Sequence, residues 1–100
     1  MITNFKLYTE SIDISGYFSV KNTTYQLKYA DEIYILLNSE IYQNLSVTIP
    51  DSKFLDDNEF FINPDVDKEM IRVLIDENFI EESDKESIAG DKKTRSYRLV

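Results

Sequence analysis

Only one stretch of this 100-residue chain carries helical spacing, and most of the rest alternates apolar with polar side chains. That asymmetry narrows the fold more than any other feature. Between Asn63 and Asn78, Val66, Met70, Val73 and Leu74 share one helical face, widened by Ile71 and Ile75. Asn63 suits an N-cap, and Pro64 suits the first helical position, where its missing N–H is not needed. Asp65 and Asp67 complement the positive end of the helix dipole. Glu69, Arg72 and Asp76 fall on the wet side at ion-pair spacing. Asn78 fits a left-handed C-cap.

The remaining pattern is sheet. Tyr17 to Lys21 reads as a strand, and Asn22-Thr23-Thr24 separates it from the next, in which Tyr25, Leu27 and Tyr29 point one way. Ile33-Tyr34-Ile35-Leu36-Leu37 is apolar on both faces, as a central strand is. Asn38-Ser39-Glu40 has the length of a hairpin loop. Leu45, Val47 and Ile49 alternate with Ser46 and Thr48, giving one wet face, and Pro50-Asp51-Ser52 ends that run. Phe60-Phe61-Ile62 and Phe79-Ile80 read as short strands, and Ser96 to Val100 as a closing one. Glu81 to Asp91 is polar and reads as a mobile loop. Phe5, Leu7, Ile12 and Ile14 give residues 1–19 the character of an edge strand or an N-terminal arm. The expectation is one α+β domain over residues 1–100: a single antiparallel β-sheet with one main helix, about residues 64–77, packed on it.

Composition removes whole chemistries. There is no Cys and no His. Disulfides, thiolate or imidazole metal ligands, Cys nucleophiles and Ser-His-Asp triads are therefore excluded. The turn Asp56-Asp57-Asn58-Glu59 lacks the alternating acids and the glycine of a calcium loop, so it reads as a solvated turn. Glu81-Glu82 with Asp84 and Glu86 are paired carboxylates, but a glycosidase needs its pair on rigid elements across a cleft. Gly16 and Gly90 are isolated, so no phosphate-cradling loop exists. No catalytic, cofactor-binding or metal-binding residue is expected, and the protein reads as non-enzymatic.

The net charge is −8, and it has an address. Asp51 to Asp91 holds 14 acids against 4 bases, while residues 92–100 hold 4 bases and no acid. Such a field disfavours direct contact with nucleic acid or an anionic membrane and favours a basic protein surface. Its plainer reading is solubility. The candidate contacts are Asp56, Asp57, Glu59, Asp76, Glu77, Glu81, Glu82 and Asp84. Seven tyrosines, at 8, 17, 25, 29, 34, 42 and 97, fall in sheet-like segments. They suit sheet packing or a protein-binding sheet face, the latter through a partner or a homodimer. The start of the chain lacks a basic segment followed by an apolar one. The longest apolar runs are far shorter than a membrane span, so the chain reads as cytoplasmic, in a host cell.

From Tyr25 to Leu99 the chain resembles a small domain family of unknown function found on phages and other mobile elements. The resemblance rests on Leu27, Ile33-Tyr34-Ile35-Leu36 and Ile41-Tyr42 leading into Leu45-Ser46-Val47-Thr48-Ile49-Pro50. Asn58-Glu59-Phe60-Phe61-Ile62, Leu74-Ile75-Asp76-Glu77-Asn78-Phe79 and Gly90 before a final strand complete it. It implies an α+β fold and a mobile-element setting, and it transfers no catalytic residue. Compact acidic phage proteins are similar in kind to anti-CRISPR and other anti-defence inhibitors, which set carboxylates where a host nuclease binds phosphates. The expected function is therefore inhibition of a basic host defence protein, such as a CRISPR-associated nuclease or its complex, as a nucleic-acid mimic. The alternative is a mobile-element accessory or assembly protein acting by protein–protein contact or self-association.

Overall fold

The alternating segments form antiparallel strands joined largely by tight turns, and the computed structural model describes residues 2–12 and 18–100. The expectations placed on Ile14, Gly16 and Tyr17 lie outside those residues, as do the side chains of Tyr8 and Ile12. The strands are β1 (Ile2–Ile12), β2 (Phe18–Tyr29), β3 (Ile33–Leu37), β4 (Glu40–Asn44), β5 (Ser46–Val47), β6 (Glu59–Ile62), β7 (Ile80–Ala89) and β8 (Lys92–Leu99). A 3-10 turn, Pro50–Phe54, precedes β6, and one helix, α1 (Lys68–Asp76), lies between β6 and β7. The content is mixed α and β, mostly strand.

Instead of one sheet there are two four-stranded antiparallel sheets, ordered β1-β2-β3-β4 and β5-β6-β8-β7. The division falls at Leu45, between β4 and β5, at the start of the run that alternates from Leu45 to Ile49. Its N–H donates to the Ile33 carbonyl of the first sheet, and its carbonyl accepts from the Asn63 N–H beside the second, both at 2.8 Å. Ser46 is consequently buried, and its hydroxyl accepts from the Ile33 N–H at 2.8 Å. Periodicity shows which residues share a face, but not that the chain changes sheets midway.

One core joins both sheets. Phe5, Tyr25, Leu27, Ile33 and Ile35 from the first meet Phe60, Ile62, Ile80 and Tyr97 from the second. Leu45, Val66, Met70 and Leu74 fill the space between. Tyr25 stacks on Phe5 with ring centres 5.6 Å apart, and Tyr97 on Phe60 at 6.2 Å. These tyrosines serve packing, while Tyr42 on β4 stays exposed.

Local chemistry accounts for the turns. Asn38 and Ser39 both have positive φ, as the two-residue β3–β4 hairpin loop requires. At the β7–β8 turn Gly90 takes φ +65, where glycine meets no Cβ penalty. Asn22-Thr23-Thr24 does not break the sheet. β2 runs straight through it, pairing with Tyr8, Leu7 and Lys6, because β-branched Thr suits a strand.

The helix is shorter than 64–77. Asp67 is its N-cap, accepting from the Glu69 N–H at 2.9 Å. Asn63 is occupied elsewhere: its side-chain amide donates to the Asn44 carbonyl at 2.9 Å, and its Oδ1 accepts from the Asp65 N–H. Residues 63–66 thus form a turn that delivers Val66 to the core. At the other end Asn78 has φ +61; its N–H reaches the Ile75 carbonyl and that of Phe79 the Leu74 carbonyl. This is a Schellman ending.

The segment 81–91 is a hairpin, not a mobile loop. Its polar side chains hide a strand from propensity reasoning, because Asp, Glu and Lys are poor strand formers on average. Register with β8 sets Glu81 opposite Arg98 and Glu86 opposite Arg95, so opposite charges face each other across the ladder. No helix among the described residues is long and apolar enough to cross a membrane.

Candidate partner-binding surface

The eight acidic candidates differ in burial and in pairing. Glu59 opens β6, and its side chain is fully buried. Its carboxylate accepts from Lys85 Nζ at 2.7 Å, from the Ser83 hydroxyl and from the Asp56 N–H at 3.1 Å. A bulge in β7 builds this arrangement. Glu82 pairs with Tyr97 and Glu86 with Arg95, so Ser83, Asp84 and Lys85 oppose Ser96 alone. The buried Ser96 hydroxyl accepts from the Lys85 N–H at 2.9 Å and steadies the bulge. Bulges re-aim side chains, and this one turns Ser83 and Lys85 onto Glu59.

Hydrogen bonds from Lys85, then Ser83, then the Asp56 backbone hold the Glu59 carboxyl down from 4.5 to about 2. The same contact with Glu59 holds the Lys85 ammonium above its ordinary value. Both groups are fixed in charge at neutral pH, so neither suits proton shuttling there. Their role is structural: the Asp56 N–H meets Glu59 Oε1 while the Glu59 N–H meets the Asp56 carbonyl at 3.0 Å, which closes the 56–59 turn.

The basic C-terminal residues neutralise much of the acidic hairpin. Arg98 pairs with Glu81 at 3.3 Å, and Arg95 with Glu82 at 3.3 Å and Glu86 at 3.1 Å. Asp84, largely exposed, lies 3.8 Å from Lys85. Asp76 pairs with Arg72 at 3.6 Å, and Glu77 caps the end of α1. No ion pair or hydrogen bond among the described residues ties Asp76 or Glu77 to the 56–59 turn.

Asp56 and Asp57 remain open, joined by a residue that the charge run did not flag. Asp31, in the β2–β3 turn, lines the same groove, which has a volume of about 270 Å³. Tyr29, Phe60 and Leu99 line its apolar part. None of the three aspartates has an ion-pair partner among the described residues. Asp31 lies 25 positions before Asp56 in the chain, so only the folding of the first sheet against the second brings them together. The signal available beforehand was its place in a short turn between two apolar strands.

No group of acids among the described residues has metal-holding geometry. No family model, no curated protein and no solved structure matches the chain.

Proposed function

We propose that the protein is a non-enzymatic acidic binding protein of a phage or mobile element that acts in the host cytoplasm. It inhibits a host defence protein that handles nucleic acid, and anti-CRISPR activity is the sharpest form of this reading. The observation that carries it is the open trio Asp31, Asp56 and Asp57 around one groove, on a chain of net charge −8. The trio stands on turns anchored by buried strands, so its charges are held in place before binding. Carboxylates so held take the place of phosphates on a basic surface. The apolar part of the groove accepts the methylene stem of a Lys or Arg whose charged end meets the aspartates. Glu81 and Glu82 contribute less, because arginines already screen them.

A different observation favours the second reading, an accessory or assembly protein acting by protein–protein contact or self-association. β4 is a sheet edge, and Ile41 on it is 63% exposed beside exposed Tyr42. An unpaired edge with apolar side chains is a template for another strand.

Capture of host proteins on the immobilised chain, with nucleic acid as competitor, tests the first reading. Expected is a basic protein released by added nucleic acid and by rising salt, and lost in the Asp31→Lys/Asp56→Lys/Asp57→Lys variant. Capture that survives the triple reversal and ignores nucleic acid overturns it. A dimer in sedimentation, abolished by Ile41→Lys, supports the second reading instead.

A further inference from the structure

Although the chain is acidic overall, one cleft among the described residues is bordered by Lys68, Lys93 and Arg95, with Glu86 as its one acid. The cleft lies between the start of α1 and the far half of the β7–β8 hairpin and encloses about 650 Å³. A mismatch of lengths creates it. The nine residues of α1 span about 14 Å, whereas the ten of β7 extend about 33 Å. The helix therefore cannot cover the hairpin to its tip.

Register shows what the helix leaves bare. Ile88 faces Lys93 and Glu86 faces Arg95 across the β7–β8 ladder, so these four share one side of the sheet. Tyr97, two residues on from Arg95, lies on that same side and belongs to the core. The cleft is thus the outward continuation of the core face. Its floor stays apolar, with Ile62, Val66 and Ile71. Ile88 at its rim is 62% exposed, a large apolar side chain left in water. Lys68, the first residue of α1, and Lys93 border it with no ion-pair partner among the described residues, while Arg95 is satisfied by Glu82 and Glu86.

We infer that this cleft binds a small organic anion with an apolar body, such as an aromatic or alkyl sulfonate or carboxylate. The body packs on Ile62, Val66, Ile71 and Ile88, and the anionic head lies between Lys68 and Lys93. The cavity volume falls within the roughly 300–1,000 Å³ of small-molecule sites, which are apolar with a few placed polar groups. Two unpaired lysines beside an apolar floor select for an anion over a neutral compound. The site is separate from the Asp31, Asp56 and Asp57 groove and stands or falls independently of it.

The test uses the full chain, with 8-anilinonaphthalene-1-sulfonate as probe and N-phenyl-1-naphthylamine as its counterpart without the sulfonate. Binding is followed by fluorescence titration and by methyl NMR. Expected are saturable binding at one site and shifts at the methyls of Ile62, Val66, Ile71 and Ile88. The neutral compound should bind about tenfold more weakly, the loss of one charge-assisted contact. Lys68→Glu/Lys93→Glu, two exposed changes, should weaken the sulfonate by about tenfold or more and leave the neutral compound unchanged. Equal affinity for the two probes, shifts centred on the Ile41 methyls, or sulfonate binding unaffected by the double reversal would each overturn the inference. So would shifts of the cleft methyls on dilution without probe, which would mean that a second copy occupies the cleft.

Discussion

Leu45→Ala is expected to lower the stability of both sheets together, because this side chain sits where the chain passes from one to the other. Leu45 is fully buried, and its backbone bonds reach both sheets. The substitution keeps those bonds and removes only side-chain carbon. Three carbons at about 0.8 kcal/mol each give a transfer loss of roughly 2.4 kcal/mol. The cavity left between two rigid sheets adds to this, for a total of about 2.5–5 kcal/mol. A domain of this length has roughly 5–15 kcal/mol in all, so the variant keeps its fold but loses much of its margin. On a urea slope of about 1.5 kcal/mol per M, a loss of about 3 kcal/mol lowers the midpoint by about 2 M. Far-ultraviolet circular dichroism and tyrosine fluorescence, followed in parallel, provide the assay. Ile41→Ala, on an exposed strand edge, is the control and should shift stability by no more than about 0.5 kcal/mol. A loss below about 1 kcal/mol for Leu45→Ala would refute the reasoning. So would two separate transitions in the unsubstituted protein, since one shared core requires one transition.

Two other structural predictions concern the hairpin and its buried pair. The Glu59 carboxyl is held near 2 in the fold against an ordinary 4.5, so its stabilisation is fully present above about pH 4.5 and is lost as pH falls toward 2. The difference in urea midpoint between the native chain and Glu59→Gln should therefore shrink over that window, and a difference that stays constant from pH 6 to 2 contradicts the account. Gly90 has φ +65 and open space around a Cβ, so Gly90→Val should cost about 1–2 kcal/mol by backbone strain alone. Gly90→Asn should cost clearly less, as thermal melts of the two variants would show.

The parts of the fold legible beforehand share a cause: each is set by neighbours within a few residues. The Schellman ending at Asn78 needs only a residue that tolerates positive φ beside an apolar one. The Asn38–Ser39 hairpin needs two such residues between strands. The inward set Tyr25, Leu27 and Tyr29 follows from the two-residue period of a strand. The start of the helix was less legible because Asn63 and Asp67 are both competent caps. The choice between them depends on Asn44, which is distant in sequence and takes the Asn63 amide.

The site was less legible than the fold, and the charges show why. A run of acids reads as one negative surface only while its partners are ignored. The bulge at Ser83–Lys85 draws Glu59 inside, and Arg95 and Arg98 return along β8 to meet Glu81, Glu82 and Glu86. Asp31, outside the run, joins Asp56 and Asp57. The amino-acid sequence by itself determined the one helix, most of the strands, their apolar faces and the absence of imidazole and thiol chemistry, because these depend on residue type and local spacing. The tertiary structure alone decided where the sheet divides, which carboxylates stay open and where a cationic cleft lies. Those outcomes rest on contacts between residues far apart in the chain, and Coulomb and packing energies depend on distance in space.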